Sequence, residues 1–327
     1  MRADVFLVDS GHAVTRSQAQ RLIAAGVEWR LSPQLPWNKV AKNGDDIPAM
    51  AEVQLLDSAE AKYLSRGGLK LEGALAQAGL PVAGLRCLDV GQSTGGFTDC
   101  LLQQGALQVV GVDVGQAQLH ERLRSDPRVL CVEGVNARSL TPEALQLACE
   151  ALLLLPGAAA PKPEVQPENP YRWMSGDGEV TDYDDSDDVD DDYLAAELGQ
   201  AKAPEPAPAR VAPRRRPGCA DVDTTPLFDL VTGDLSFISL TLVLPALVPL
   251  LAPAGALLML VKPQFELQPG QVGKGGIVRD PALYAVVEQR IRDCCAEVGL
   301  AVQAWFDSPI SGGDGNREFF VFARRAA

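Results

Sequence analysis

The sequence predicts an α/β fold: a mostly parallel sheet covered by helices on both faces, closed by an antiparallel strand pair and preceded by a small α+β unit. Three observations carry this expectation. From residue 85 onward, short apolar runs alternate with amphipathic stretches, the pattern of βαβ units in a parallel sheet. The run LRCLDVGQSTGGFTDCLL, residues 85–102, takes a strand into Asp89, then a loop bearing Gly91, Gly95 and Gly96, then a helix start. Such a glycine turn lets the backbone approach a ligand at the carboxyl end of a first strand. The last two strands are joined by a short Gly-rich segment with no room for a crossover helix, so they should pair antiparallel.

The elements follow in order. Residues 2–9 form a short helix ended by Ser10-Gly11-His12. Thr15 caps a second helix, 16–25, which Gly26 terminates. Residues 27–56 hold a small, irregular β region, and a link at 61–64 leads to a helix over 65–79. Strands are expected at 85–90, 108–114, 129–133, 228–233, 255–261, 301–307 and 318–323, with helices between most of them, notably 281–298. The first unit is thus 1–60 and the second 61–327. Residues 156–226, rich in Pro, Ala and Asp, interrupt the second unit. They offer too little apolar surface to fold alone and are expected to be a disordered insertion.

At 327 residues the chain can build two domains with a real core. A net charge of −14 argues superficially against a nucleic-acid partner. However, residues 157–226 carry 16 acidic against 7 basic side chains, so most of that charge is local. Seven cysteines, an odd number without C-x-x-C spacing, and only His12 and His120 argue against a disulfide framework and a metal site. Both points fit a reducing cytoplasm. Arg2, Asp4 and Asp9 interrupt any N-terminal signal sequence. Residues 235–261 carry no charge over a length exceeding the ~20 residues that cross a bilayer. Pro245, Pro249, Pro253 and Gly255 nevertheless divide that run into a helix, a turn and a buried strand, so no membrane partner is expected.

The glycine loop points to a nucleoside. Asp113, near the end of the second strand and about 20 residues beyond the loop, can hold ribose hydroxyls. Three ligands compete. The dinucleotide fingerprint lacks its second glycine, and the P-loop has Phe97 where its lysine belongs. S-adenosylmethionine needs close backbone approach and carboxylates near a cation, which Asp89 and Asp113 could supply. Three further segments reach the same crevice: 233–236 (GDLS), 261–264 (VKPQ) and 315–318 (GNRE). They bring Asp234, Lys262 and Glu318, while Lys70 reaches in from the preceding helix. Two lysines and two carboxylates suit the polarisation of a weakly acidic hydroxyl. In the first unit, Arg16, Gln18, Gln20, Arg21, Lys39 and Lys42 suit phosphate and 2′-OH contacts on structured RNA; an ordinary solvated helix face has the same composition.

At this point the residues resemble a known family. YLSRGGLKLEGAL, CLDVGQSTGGFTDCLL, VVGVDVGQAQL, DPRV, NAR, GDLSFISL, LVKPQFE, VGKGGIVRD and GNREFF are similar to stretches of the TlyA family of rRNA 2′-O-methyltransferases, which join an S4 RNA-binding domain to an FtsJ-like methyltransferase domain. The resemblance implies a Rossmann-like class I methyltransferase sheet and S-adenosylmethionine as cofactor. The substrate implied is a ribose, that of a cytidine, in ribosomal RNA or ribosomal subunits. It implies a catalytic tetrad of Lys70, Asp234, Lys262 and Glu318. Cofactor contacts would come from Asp89, Gly91, Ser93, Thr94, Gly95, Gly96, Phe97, Asp113 and Asn136, and RNA contacts from Arg2, Arg16, Gln20, Arg21 and Arg66. No metal is required, and a cytoplasmic monomer is expected. The chain departs from the family in two places: a Pro-interrupted stretch at 31–36 replaces the compact Asn-Gly hairpin after the second helix, and the acidic insertion is extra. Two rival readings are a haemolysin-like membrane-active protein and a non-catalytic RNA-binding protein on a methyltransferase fold.

Overall fold

The computed structural model describes residues 1–57, 61–154, 222–313 and 315–326. The N-terminal unit contains α1 (Ala3–Asp9), α2 (Arg16–Gly26), β1 (Val27–Arg30), β2 (Asn38–Lys39) and β3 (Glu52–Leu55). Thr15 starts α2 as expected, its side chain accepting from Gln18 N at 3.2 Å. The irregular β region is a three-stranded antiparallel sheet in the order β2-β1-β3. Phe6, Leu7, Leu22, Ile23, Val27 and Ile47 give this unit its own core. Residues 31–36 form the long β1–β2 connection. The Asn43-Gly44 turn lies against the start of α1, where Asn43 O and Asp45 O accept from Asp4 N and Ala3 N at 3.1 and 2.7 Å. These bonds satisfy two of the donors that a helix N-terminus leaves unpaired.

The second unit comprises α3 (Arg66–Ala78), β4 (Arg86–Val90), α4 (Gly96–Gln103), β5 (Gln108–Asp113), α5 (Glu121–Arg124), β6 (Val129–Glu133), α6 (Pro142–Leu153), β7 (Phe228–Gly233), α7 (Leu244–Leu247), β8 (Leu251–Val261), α8 (Pro263–Glu266), α9 (Ala282–Glu297), β9 (Leu300–Asp307) and β10 (Phe319–Arg325). Seven strands form one sheet in the order β6-β5-β4-β7-β8-β10-β9. The first five run parallel, and β10 lies antiparallel between β8 and β9. The strand order reverses at β4, so a crevice opens at the carboxyl ends of β4 and β7.

Alternation along the central strands builds two apolar layers. Leu257, Met259 and Val261 face one side of the sheet with Leu145, Leu244 and Val287 from the helices. Ala256, Leu258 and Leu260 face the other with Leu71, Leu75 and Leu101. The uncharged run 235–261 is therefore consumed by this core. Its division differs from expectation in two respects. Short α and 3₁₀ turns between 240 and 250 stand in place of one helix. In addition, β8 begins at Leu251, with exposed Pro253 and Ala254 in a bulge where the register to β7 shifts between Phe228 and Leu230. Pro is tolerated there because the bulge needs no ladder N–H from it.

The expected disordered insertion, 156–226, lies outside the described residues except for its last five. Those five are structured, which moves the boundary inward. Arg86 donates to Asp223 O, Thr225 O and Leu227 O at 3.0, 2.9 and 2.7 Å and pairs with the Asp223 carboxylate. One guanidinium thus leads the returning chain into β7, a use of its fork of donors that a lysine could not match.

Candidate active site

The loop after β4 is shaped by close approach. Gly91 has φ +82, and a Cβ there would stand 2.9 Å from Asp234 O, so only glycine fits. Gly91 N and Gln92 N both donate to Val112 O, at 2.9 and 3.2 Å. Asp113, at the end of β5, accepts from Ser93 N and Gly115 N at 2.7 Å each. Ser93 itself takes φ +47, a conformation that this carboxylate holds in place. Beneath the loop, Asp89 is fully buried. Its Oδ2 accepts from Thr98 Oγ1 at 2.7 Å while its Oδ1 has no partner. Burial pushes its carboxyl up to about 7, against the opposing bonds from Thr98. Gln92 folds over the same spot, donating to Thr98 Oγ1 at 2.9 Å in space that exists because residue 111 has no Cβ.

Other residues named for the cofactor also have structural partners. A Cβ on Gly95 would meet Leu123 Cδ1 at 2.3 Å, and one on Gly96 would meet Ser65 Oγ at 2.0 Å. These glycines serve the packing of α4 against α5 and α3. The Phe97 side chain belongs to the core. It is 3% exposed and stacks on Phe320 at 6.4 Å between centroids, within the apolar layer under the sheet. Thr94 is exposed on the loop and accepts from His120 N through its carbonyl. Asn136 caps the turn after β6, its side chain accepting from Arg138 N at 3.0 Å.

Lys70, Asp234, Lys262 and Glu318 do meet at one rim, as two ion pairs. Lys70 Nζ lies 2.6 Å from Glu318 Oε2, with side chains 9% and 3% exposed. Lys262 Nζ lies 2.6 Å from Asp234 Oδ1 and donates to Ser236 Oγ at 2.8 Å. Burial raises the Glu318 carboxyl above its ordinary value, opposed first by Lys70 and then by Lys262. Lys70, Lys262 and Glu318 line a cavity of about 300 Å³ together with Ser236, Phe237, Phe265 and the glycines at 275, 276 and 313. Phe237 sits at φ +63, its ring 5.2 Å from that of Phe265. Two buried groups here escaped the sequence reading. Glu266 accepts from Ser239 Oγ and Leu240 N at 2.5 and 2.7 Å, tying the segment after Asp234 to the turn after Lys262. Asn316 ties the loop at 273–278 to the segment that bears Glu318 and leads into β10. A Gln or Glu in KPQFE and an Asn in GNRE carry no spacing signal; only the fold shows their partners.

In the N-terminal unit, Arg2 and Arg16 converge on buried Asp4, at 3.0 and 2.8 Å, and Gln20 also bonds it. These bonds hold the Asp4 carboxyl well below the usual range. Both arginines keep more than half of their surface in solvent. Arg21 donates to Ser17 O on its own helix, and Arg66 is half-buried at the start of α3. Gln18 is committed inward, donating to Tyr63 O at 3.1 Å across the two units.

A seven-stranded sheet in this order, with its antiparallel strand entering last and its polar rim at β4 and β7, defines the class as that of class I methyltransferases. The FtsJ-like methyltransferase family model matches residues 63–325. The chain is similar to the 16S/23S rRNA (cytidine-2′-O)-methyltransferase TlyA of Mycobacterium tuberculosis, 36% identical over 323 residues that cover 99% of this chain and 89% of that protein. It is 34% identical over 322 residues to YqxC of Bacillus subtilis, named as an rRNA methyltransferase, covering 98% and 84% of the two chains. Among solved structures, a hemolysin-named protein of Streptococcus thermophilus aligns with a TM-score of 0.59 at 30% identity, covering 100% of this chain and 88% of that one. The chain belongs to the FtsJ-like methyltransferase family, among the TlyA proteins. Among the described residues, no helix is long and apolar enough to cross a membrane.

Proposed function

We propose that this protein transfers a methyl group from S-adenosylmethionine to the 2′-hydroxyl of a cytidine ribose in ribosomal RNA. The observation that carries the reading is the pair of lysine–carboxylate contacts, each 2.6 Å, on one cavity beside a glycine-lined strand end. The residues at that strand end fit the cofactor. Gly91 allows close backbone approach, the Asp113 carboxylate suits ribose hydroxyls, and Asp89 offers a buried carboxylate oxygen without a partner. When bound, S-adenosylmethionine supplies an electrophilic methyl carried on a sulfonium, which needs no Lewis acid to leave.

The chain's own residues then divide the work. Lys262, fixed by Asp234 and Ser236, steers the attacking hydroxyl as an ammonium or, once it has released its own proton to solvent, accepts the hydroxyl proton. Asp234 orients that amine. Lys70 and Glu318 position the ribose and balance the rim's charge. Asn136 borders the cofactor side. The N-terminal unit acts as an S4-like RNA-binding domain through Arg2, Arg16, Gln20 and Arg21, with Arg66 at the junction. Its exposed guanidinium edges support phosphate contacts. The reading places a monomeric enzyme in a reducing cytoplasm, in keeping with six free cysteines among the described residues.

The test is to map ribose methylation in rRNA from cells with and without the protein, and on purified subunits incubated with it. One or a few 2′-O-methylcytidines should depend on the protein. If rRNA carries the same modifications in both cases, the reading is wrong.

A further inference from the structure

We infer that Asn316 is a positioning residue that sets the shape of the nucleotide pocket by fastening its glycine wall to the segment that bears Glu318 and leads into β10. The inference rests on the reading of this cavity as the site for the target nucleotide. Residues 273–278 form the wall. Gly275 and Gly276 lie at φ +75 and +76, both border the cavity, and a Cβ on either would find nothing within 4 Å. Gly275 is exposed and Gly276 is buried, and neither carries a side chain that could anchor the loop. Within the loop, Gly276 N donates to Gly273 O and Gly273 N to Ile277 O.

Asn316 spans the gap to the opposite wall. It is 2% exposed, accepts from Val278 N through Oδ1 at 3.0 Å, and donates from Nδ2 to Gly276 O at 2.9 Å. Its own carbonyl accepts from Gly312 N at 2.9 Å, closing the turn that leads to Glu318 two residues on. One amide thus satisfies a donor and an acceptor of one loop from the segment just before β10, which needs both halves of the amide. Neither bond touches Lys70, Lys262 or Glu318. Loss of the staple should leave the reacting groups in place and make the RNA order the wall on binding, a cost that appears in substrate affinity.

The experiment compares Asn316→Leu, Asn316→Asp and Gly276→Ala in the full chain. It measures methyl transfer to ribosomal subunits, cofactor affinity by calorimetry, and amide exchange of residues 273–278. Asn316→Leu should raise KM for RNA roughly tenfold, with kcat and cofactor Kd within about threefold, and speed exchange in the loop. Asn316→Asp keeps the acceptor and loses the donor, so it should fall between Leu and wild type. Gly276→Ala strains the same loop without disturbing the core and should raise KM similarly. Combined with Asn316→Leu it should add less than its separate effect, because both act on one element. Unchanged KM and exchange in an active enzyme would overturn this inference alone, as would a fall in kcat at constant KM. A wild type that methylates no rRNA would overturn the functional reading and this inference with it.

Discussion

Replacing Lys70 by Met removes one half of a buried ion pair while keeping most of the side chain's bulk. The pair is short, 2.6 Å, and both members are almost wholly shielded from water. Removing one partner of such a pair costs about 3–5 kcal/mol, because the charge left behind has lost its counterion but not its desolvation. The remaining group is Glu318, whose carboxyl burial already raises against the pull of Lys70 and Lys262. Without Lys70 it rises further. Its unfolded value is ~4.3, so between that pH and the folded value the native state holds a proton that the unfolded chain has released. Stability contributed by this group therefore falls as pH rises through that window, and the variant's window extends higher. Urea unfolding should show the full ~3–5 kcal/mol loss near pH 8 and a smaller loss near pH 5. Adding Glu318→Gln should restore much of the loss at pH 8. A loss equal at both pH values and untouched by Glu318→Gln would refute the argument.

Two further outcomes are expected. Phe97→Ala should cost about 3–5 kcal/mol of stability through the cavity it leaves against Phe320, yet change cofactor affinity little in the folded protein; calorimetry and thermal melts separate the two. Asp89→Asn removes a carboxyl whose folded value stands near 7, well above its unfolded one. Wild-type stability from this group declines from roughly pH 4 to 7, so the variant should gain relative to wild type across that window; parallel pH–stability curves would contradict this. The same variant should bind the cofactor more weakly.

Much of the fold was legible because the sheet writes itself as short apolar runs between helices, and because Gly91 and Asp113 keep their spacing. The paired lysines and carboxylates were also legible, since strands of an open sheet end on a common crevice. What the sequence hid was which residue packs and which one binds. A glycine that makes room for Ser65, as Gly96 does, reads the same as one that makes room for a ligand. Arg2 and Arg16 read as free basic side chains until Asp4 was found between them. Pro253 read as the end of a turn, because a bulge inside a central strand has no local signature. Long-range staples such as Arg86, Glu266 and Asn316 span up to 143 residues between side chain and partner, beyond any periodicity.

The most direct test is single-turnover methyl transfer to ribosomal subunits by Lys262→Ala, with cofactor affinity measured on the same preparation. The account predicts a rate lowered by about two to four orders of magnitude, as for loss of a positioned acid–base group, with cofactor binding retained. Transfer at the wild-type rate would contradict it, because the amine beside Asp234 would then have no part in activating the sugar hydroxyl.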